Sequence, residues 1–157
     1  PMVGIKLWVS KRACAPELDP IMREAARLNV SVLQHSWYKT TGNLDDESTP
    51  ADVAHLAARH PDVIIQMAHL NGGGERGAQD IAPYPNVLVD TSGGEPEAEL
   101  VEYAVRELGA ERVVFGSDAP FRDFSTQLGK VMGADLTEAQ LDAILYKNMH
   151  RVLKIGI

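Results

Sequence analysis

A single cysteine, Cys14, occurs among 157 residues, so the chain forms no internal disulfide framework and no zinc site built from cysteines. Its simplest role is that of a small residue near a loop. Positive charge is also scarce, with 15 basic against 22 acidic residues and a formal charge of −7. That balance argues against nucleic acid or an anionic membrane surface as the main partner. No apolar run approaches the roughly 20 residues that a membrane-spanning helix needs, and the opening PMVGIKLWVSKRACAP has no long apolar core of a secretory signal. A cytoplasmic location is the expectation. Low-complexity linkers and charge blocks are missing too, which leaves residues 1–157 as one domain. The stretch NGGGERG follows a β-rich run, but no Lys-Ser/Thr pair follows its glycines, so it is not a P-loop.

What is present is an alternation. Short runs rich in Val, Ile and Leu (VGIKLWV, VSVLQHSW, DVIIQMAH, NVLVD, RVVFGSD) are separated by segments with helical periodicity. In PELDPIMREAARLN the apolar face is Ile21, Met22, Ala25, Ala26 and Leu28, and Thr49-Pro50 makes a cap and first turn for PADVAHLAARH. A Gly-rich loop, LNGGG, is expected after the third run. The fourth run leads to EPEAELVEYAVRELG, which starts with acids and ends at Gly109. The chain closes with helical material in DFSTQLGKVMG and TEAQLDAILYKNMHRVL. Alternating βα units predict an α/β fold with a parallel sheet.

Three of the runs end on a residue that can bind a divalent metal: His35, His69 and Asp118. An acid at the end of a buried strand costs several kcal/mol unless it is paired or coordinated. Parallel α/β folds place their ligands at the carboxyl ends of the strands, so the three side chains are expected on one face. The alternative for each histidine is a hydrogen-bonded structural role. Asp90, ending NVLVD, is placed as a hydrogen-bonded strand end or a partner to the site. Arg122 is placed to meet a substrate carboxylate, or else is a solvated loop arginine. His55, His60 and His150 fall on helices and read as structural, and Asn148 as a packing or capping residue.

The motifs GIKLW, VLQH, PDVIIQMAHLNGG, NVLVDTSG, VVFGSDAP and LTEAQLDAILYKNMHRVLKI, in this order, resemble the later part of the amidohydrolase-related metal-dependent hydrolases, the group that includes aminocarboxymuconate-semialdehyde decarboxylase-like enzymes. The resemblance implies a TIM-type (βα)8 barrel, with this chain covering about strands four to eight. It implies His35 as a metal ligand, Asp118 as a ligand or the base beside the metal, and His69 as a second-metal ligand or the general acid/base. Zinc is the expected metal and manganese the alternative. Relatives often carry a His after GIKL; here stands Trp8, expected to shape a substrate wall. Lys6 matches loosely a lysine that bridges two metals in some relatives, with a buried polar or substrate-facing role as the stronger expectation.

The family also takes two ligands from a His-x-His pair on strand one, and no such pair occurs here. A full barrel takes about 250 residues. The expectation is therefore a C-terminal portion of a longer protein, weak in metal binding by itself, with exposed sheet edges that favour a homo-oligomer or a second chain supplying strands one to three. The expected function is a metal-dependent hydrolase acting on a small polar substrate that bears a carboxylate, lactone or amide. Non-oxidative decarboxylation on the same scaffold is the alternative, and a non-catalytic barrel fragment that binds a ligand or partner is the rival.

Overall fold

Five short strands, β1 (Gly4–Leu7), β2 (Ser31–Gln34), β3 (Ile65–Met67), β4 (Val87–Asp90) and β5 (Val113–Val114), pair in parallel and in chain order in the computed structural model. It describes residues 3–154, so Ile155 of the closing motif lies outside the described residues. The register sets Leu7 opposite Gln34, Gln34 opposite Met67, Met67 opposite Val89 and Asp90 opposite Val114. Because side chains alternate along a strand, Val32, Ile65, Met67, Val87, Val89 and Val113 share the face that packs under the helices, and all six are fully buried. The opposite face carries Lys6, Leu33, Gln66 and Asp90. His35 and Asp118 continue that face past the ends of β2 and β5.

The helices form where capping and periodicity direct them. Helix α1 (Asp19–Leu28) buries Met22 and Ala25 and stops at Asn29 in a left-handed turn. Thr49 and Asp52 make a reciprocal capping box at the start of α2 (Pro50–Arg59), which removes two orphan backbone donors. Helix α4 (Leu100–Leu108) ends at Gly109, and Asp123 caps α5 (Phe124–Met132). The expected Gly-rich loop after His69 is instead the first turn of α3 (Leu70–Ile81), kinked at Gly74. Its glycines answer to packing: a Cβ on Gly72 would come within 2.6 Å of the Trp37 indole. The closing segment is α6 (Glu138–Asp142), a π-turn (Ala143–Lys147) and α7 (Asn148–Leu153).

The lower, amino-terminal ends of the strands are pinned by three polar side chains. Asn86 donates to the carbonyls of His60 and Val63. Arg112 donates to the carbonyls of Ile81, Ala82, Tyr84 and Val87, closing the end of α3 against β4. Asn148 donates to Ala110 and Val113. The two edges of the sheet differ. Beside β5, the Phe115 N–H donates to the Ile144 carbonyl in the π-turn at 2.8 Å, and Asn148 takes the Val113 carbonyl at 2.8 Å. No strand lies beyond β1 among the described residues.

Removing the Asn148 amide leaves two carbonyls at the β5 end without their donor, so Asn148→Ala lowers unfolding stability by about 2 kcal/mol. His150→Ala, on the exposed side of the same helix, changes it by less than about 0.5 kcal/mol. Chemical denaturation of both variants checks this, and equal effects would show that Asn148 does not hold the edge.

Candidate metal and substrate site

His35 follows β2 directly, and its N–H donates to the Leu7 carbonyl at 3.0 Å, which keeps the chain extended and aims the ring over the polar sheet face. His69 lies two residues past β3 with a left-handed backbone (φ 73°), and Asp118 beyond β5 has φ 55°. Left-handed angles are uncommon for residues other than glycine and are maintained only where surrounding contacts over-determine them. At His69 those contacts are visible. Its N–H donates to Asp90 Oδ1 at 3.1 Å, its ring meets His35 edge-on at 4.9 Å, and the Trp37 ring lies 5.0 Å away. A Cβ on Gly93 would approach His69 Nδ1 to 2.7 Å and Trp37 to 3.0 Å.

A continuous polar chain links these groups. Glu47 Oε1 is 2.9 Å from His35 Nε2. His35 Nδ1 is 3.1 Å from His69 Nε2, and His69 Nδ1 is 3.0 Å from Ser92 Oγ. The Ser92 hydroxyl donates to Asp90 Oδ1 at 2.6 Å. Asp90 also accepts from the Ser92 N–H and from Gln66, and Lys39 pairs with the other Glu47 oxygen at 2.7 Å. Carboxylates accept only, and two neutral imidazoles and one hydroxyl bring three protons to four contacts. Placed from the carboxylates inward, those protons leave His35 Nδ1 and His69 Nε2 as two lone pairs facing each other. Two such nitrogens held about 3 Å apart have the spacing of neighbouring ligands on one ion with metal–nitrogen bonds of about 2.0–2.1 Å.

The histidine pair therefore fits a divalent ion. Among the described residues no three His, Cys, Asp or Glu side chains form a group able to hold a metal ion. Asp118 lies four residues past β5 and His35 directly past β2, and the charge of Asp118 reaches His69. Asp118 also lines the same cavity as both histidines.

That cavity, about 580 Å³, has apolar walls from Trp8, Trp37, Val9, Leu44 and Phe121, and carries Lys6, Lys39 and Arg122 as cations. Trp8 and Arg122 thus border the space as substrate-facing residues would, although both are exposed, and Arg122 comes to 4.0 Å from Glu95. Burial pushes His69 down to about 4, with Asp90 and Asp118 pulling upward and His35 pushing further down. Lys6 is exposed within β1, yet desolvation still lowers its ammonium against the pull of Asp90 and Asp118. Burial alone would raise the Glu47 carboxyl, but Lys39, His35 and the Leu44 N–H overcome it and leave it below its ordinary range.

His55 and His150 are exposed and His60 pairs with Asp19 at 2.8 Å, all away from the cavity. Glu47, Lys39, Trp37 and Ser92 were not evident from the sequence. Glu47 lies in GNLDDES, whose polarity suggests a solvated loop. The sequence holds no signal for it beyond its place two residues before the Thr49-Pro50 cap; in the structure the adjacent Ser48 Oγ accepts from the Ala13 N–H and the Gln34 amide.

A parallel sheet with His35, His69 and Asp118 past its carboxyl ends is part of a TIM-type barrel. The chain belongs to the amidohydrolase family, whose pattern (Amidohydrolase) it matches over residues 4–155. Among solved structures it is similar to 5-carboxyvanillate decarboxylase LigW from Sphingomonas paucimobilis, with a TM-score of 0.78, 13% identity, and coverage of 99% of this chain and 59% of that one. It is also similar to a dihydroxybenzoic acid decarboxylase from a Polaromonas species, solved with manganese and the inhibitor 2-nitroresorcinol, with a TM-score of 0.70, 18% identity and coverage of 91% and 55%. A third is Amidohydrolase 2 from Bifidobacterium longum subsp. infantis, with a TM-score of 0.71, 21% identity and coverage of 92% and 57%. At these identities the likeness establishes the fold, a partial barrel, and the chain spans 55% to 59% of those proteins. No curated protein matches it. No helix among the described residues is long and apolar enough to cross a membrane.

The folded His69 titrates near 4 while an unfolded histidine titrates near 6.5, so in the window between them the unfolded chain binds the extra proton. Without added metal, stability falls as pH drops from about 6.5 to about 4, by up to about 3 kcal/mol, and then levels for this group. Urea titrations across that window on wild type and His69→Gln check this; an equal slope in both would place the effect elsewhere.

Proposed function

We propose that this chain carries the ligand-bearing face of a metal-dependent hydrolase acting on small ring molecules that bear a carboxylate. The observation behind the proposal is the pair of imidazole nitrogens, His35 Nδ1 and His69 Nε2, held 3.1 Å apart with their outer nitrogens tied to Glu47 and Ser92. These two, with Asp118 from the same cavity, are the residues that would hold zinc or manganese. A divalent ion so placed supplies polarisation of the scissile group and activation of water. Asp118 is the proton acceptor in this reading, and its partly exposed position at the cavity leaves it accessible to a water molecule. Lys6 and Arg122 orient a substrate carboxylate, while Trp8, Trp37 and Phe121 cover a flat ring and keep bulk water from it. Strands completing a closed barrel, from the same polypeptide, a second copy or another chain, belong to this proposal.

Non-oxidative decarboxylation is the second reading, favoured by the likeness to two aromatic-acid decarboxylases. One experiment separates the two. The protein supplied with Mn²⁺ or Zn²⁺ is incubated with a panel of aromatic and lactone carboxylates in ¹⁸O-labelled water and, in parallel, in D₂O. Hydrolysis places ¹⁸O in the product. Decarboxylation instead releases CO₂ and places deuterium on the carbon that lost it. Asp118→Ala lowers kcat/KM by at least about 100-fold, and His35→Ala abolishes stoichiometric metal uptake. Unchanged turnover and metal content in both variants would remove the site assignment, and binding without either product would favour a non-catalytic ligand-binding role.

A further inference from the structure

The buried acid of the loop between β2 and α2 is unexplained by the reaction. Glu47 is 2% exposed, and removing a carboxylate from water costs several kcal/mol unless its partners are well placed. Those partners are Lys39 Nζ and the Leu44 N–H on Oε2, both from its own loop, and His35 Nε2 on Oε1. Its backbone is equally constrained. The Glu47 N–H donates to Leu44, the next residue's carbonyl accepts from Trp37 N–H, and Thr49 begins the capping box of α2. The loop thus presents one preorganised acid to one ring nitrogen.

We propose that Glu47, backed by Lys39, is the positioning residue of His35: it holds the ring hydrogen on Nε2 and thereby turns the Nδ1 lone pair toward His69 and the cavity. The geometry leaves little freedom. A carboxylate cannot donate, so a contact of 2.9 Å at Nε2 requires the hydrogen there, and a neutral ring then has Nδ1 bare. Outer partners of this kind fix tautomer and ring orientation in metal-binding histidines. The consequence for metal binding rests on the function proposed above, whereas the tautomer does not.

The test is long-range ¹H–¹⁵N spectroscopy of the histidine rings in the metal-free, full 157-residue chain, paired with Mn²⁺ binding followed by electron paramagnetic resonance. In wild type the His35 hydrogen resides on Nε2. Glu47→Ala shifts it to Nδ1 or to a mixture and weakens Mn²⁺ binding by about 10–100-fold. Glu47→Gln, whose carbonyl can accept the same hydrogen, restores the Nε2 form and binds Mn²⁺ more tightly than the alanine variant. An unchanged His35 tautomer in a folded Glu47→Ala protein overturns the proposal. Should that variant not fold, the wild-type spectrum decides, since a bare Nε2 on His35 overturns it equally. Wild type that binds no Mn²⁺ while its tautomer responds to Glu47 leaves the positioning role standing and shows that two histidines and Asp118 do not hold the ion without the completing strands.

Discussion

The carboxylate of Asp90 is the constraint around which the upper end of the sheet is arranged. It is 3% exposed, and it accepts from Gln66, the His69 N–H, the Ser92 N–H and the Ser92 hydroxyl. Those bonds offset a desolvation cost of several kcal/mol, and in doing so they lock the ends of β3 and β4 together. The left-handed turn at His69 follows from this arrangement, because its N–H must reach back to Asp90. The glycine of the FGSD motif follows as well: a Cβ on Gly116 would lie 3.0 Å from Asp90 Cγ, so the neighbouring strand has to pass without a side chain.

The two ends of the sheet are held by different chemistry. At the lower end, Asn86, Arg112 and Asn148 donate to backbone carbonyls and satisfy groups that would otherwise be buried unpaired. At the upper end, side chains bond mainly to other side chains, and the partners can exchange a proton or receive an ion. In barrels of this type the upper ends of the strands carry chemistry and the lower ends carry stability. The polar chain from Lys39 to Gln66 crosses β2, β3 and β4 on that upper face, so the loop before α2 and the end of β4 are parts of one electrostatic unit.

The sequence made the strand order, the parallel sheet and the three strand-end residues legible, because apolar runs ending in His or Asp mark position along the chain and side chains alternate with period two. Distances across strands were not legible. His35 and His69 touch because β2 and β3 are neighbours in the sheet. Glu47 escaped notice because its loop is polar, and only tertiary structure shows that the Ser48 beside it is drawn into the core. The glycines after His69 suggested a loop by local propensity, yet the segment is helical up to a break at Gly74, and Gly72 is glycine because the bulk of Trp37 leaves no room for a side chain there. Propensity is overridden where a large ring must fit.

The unequal edges of the sheet also bear on how copies of the chain can meet. Sheets grow into fibrils when the last strand of one copy pairs with the first strand of the next, which needs free donors and acceptors on both. Here no strand lies on the outer side of β1 among the described residues, but the π-turn at Ile144 and the amide of Asn148 have already taken the Phe115 N–H and the Val113 carbonyl on the other. Head-to-tail propagation therefore lacks one of its two halves. Among the described residues β1 is the side left to a further strand, and closing the barrel proposed above would also require the π-turn and Asn148 to give up their contacts beside β5.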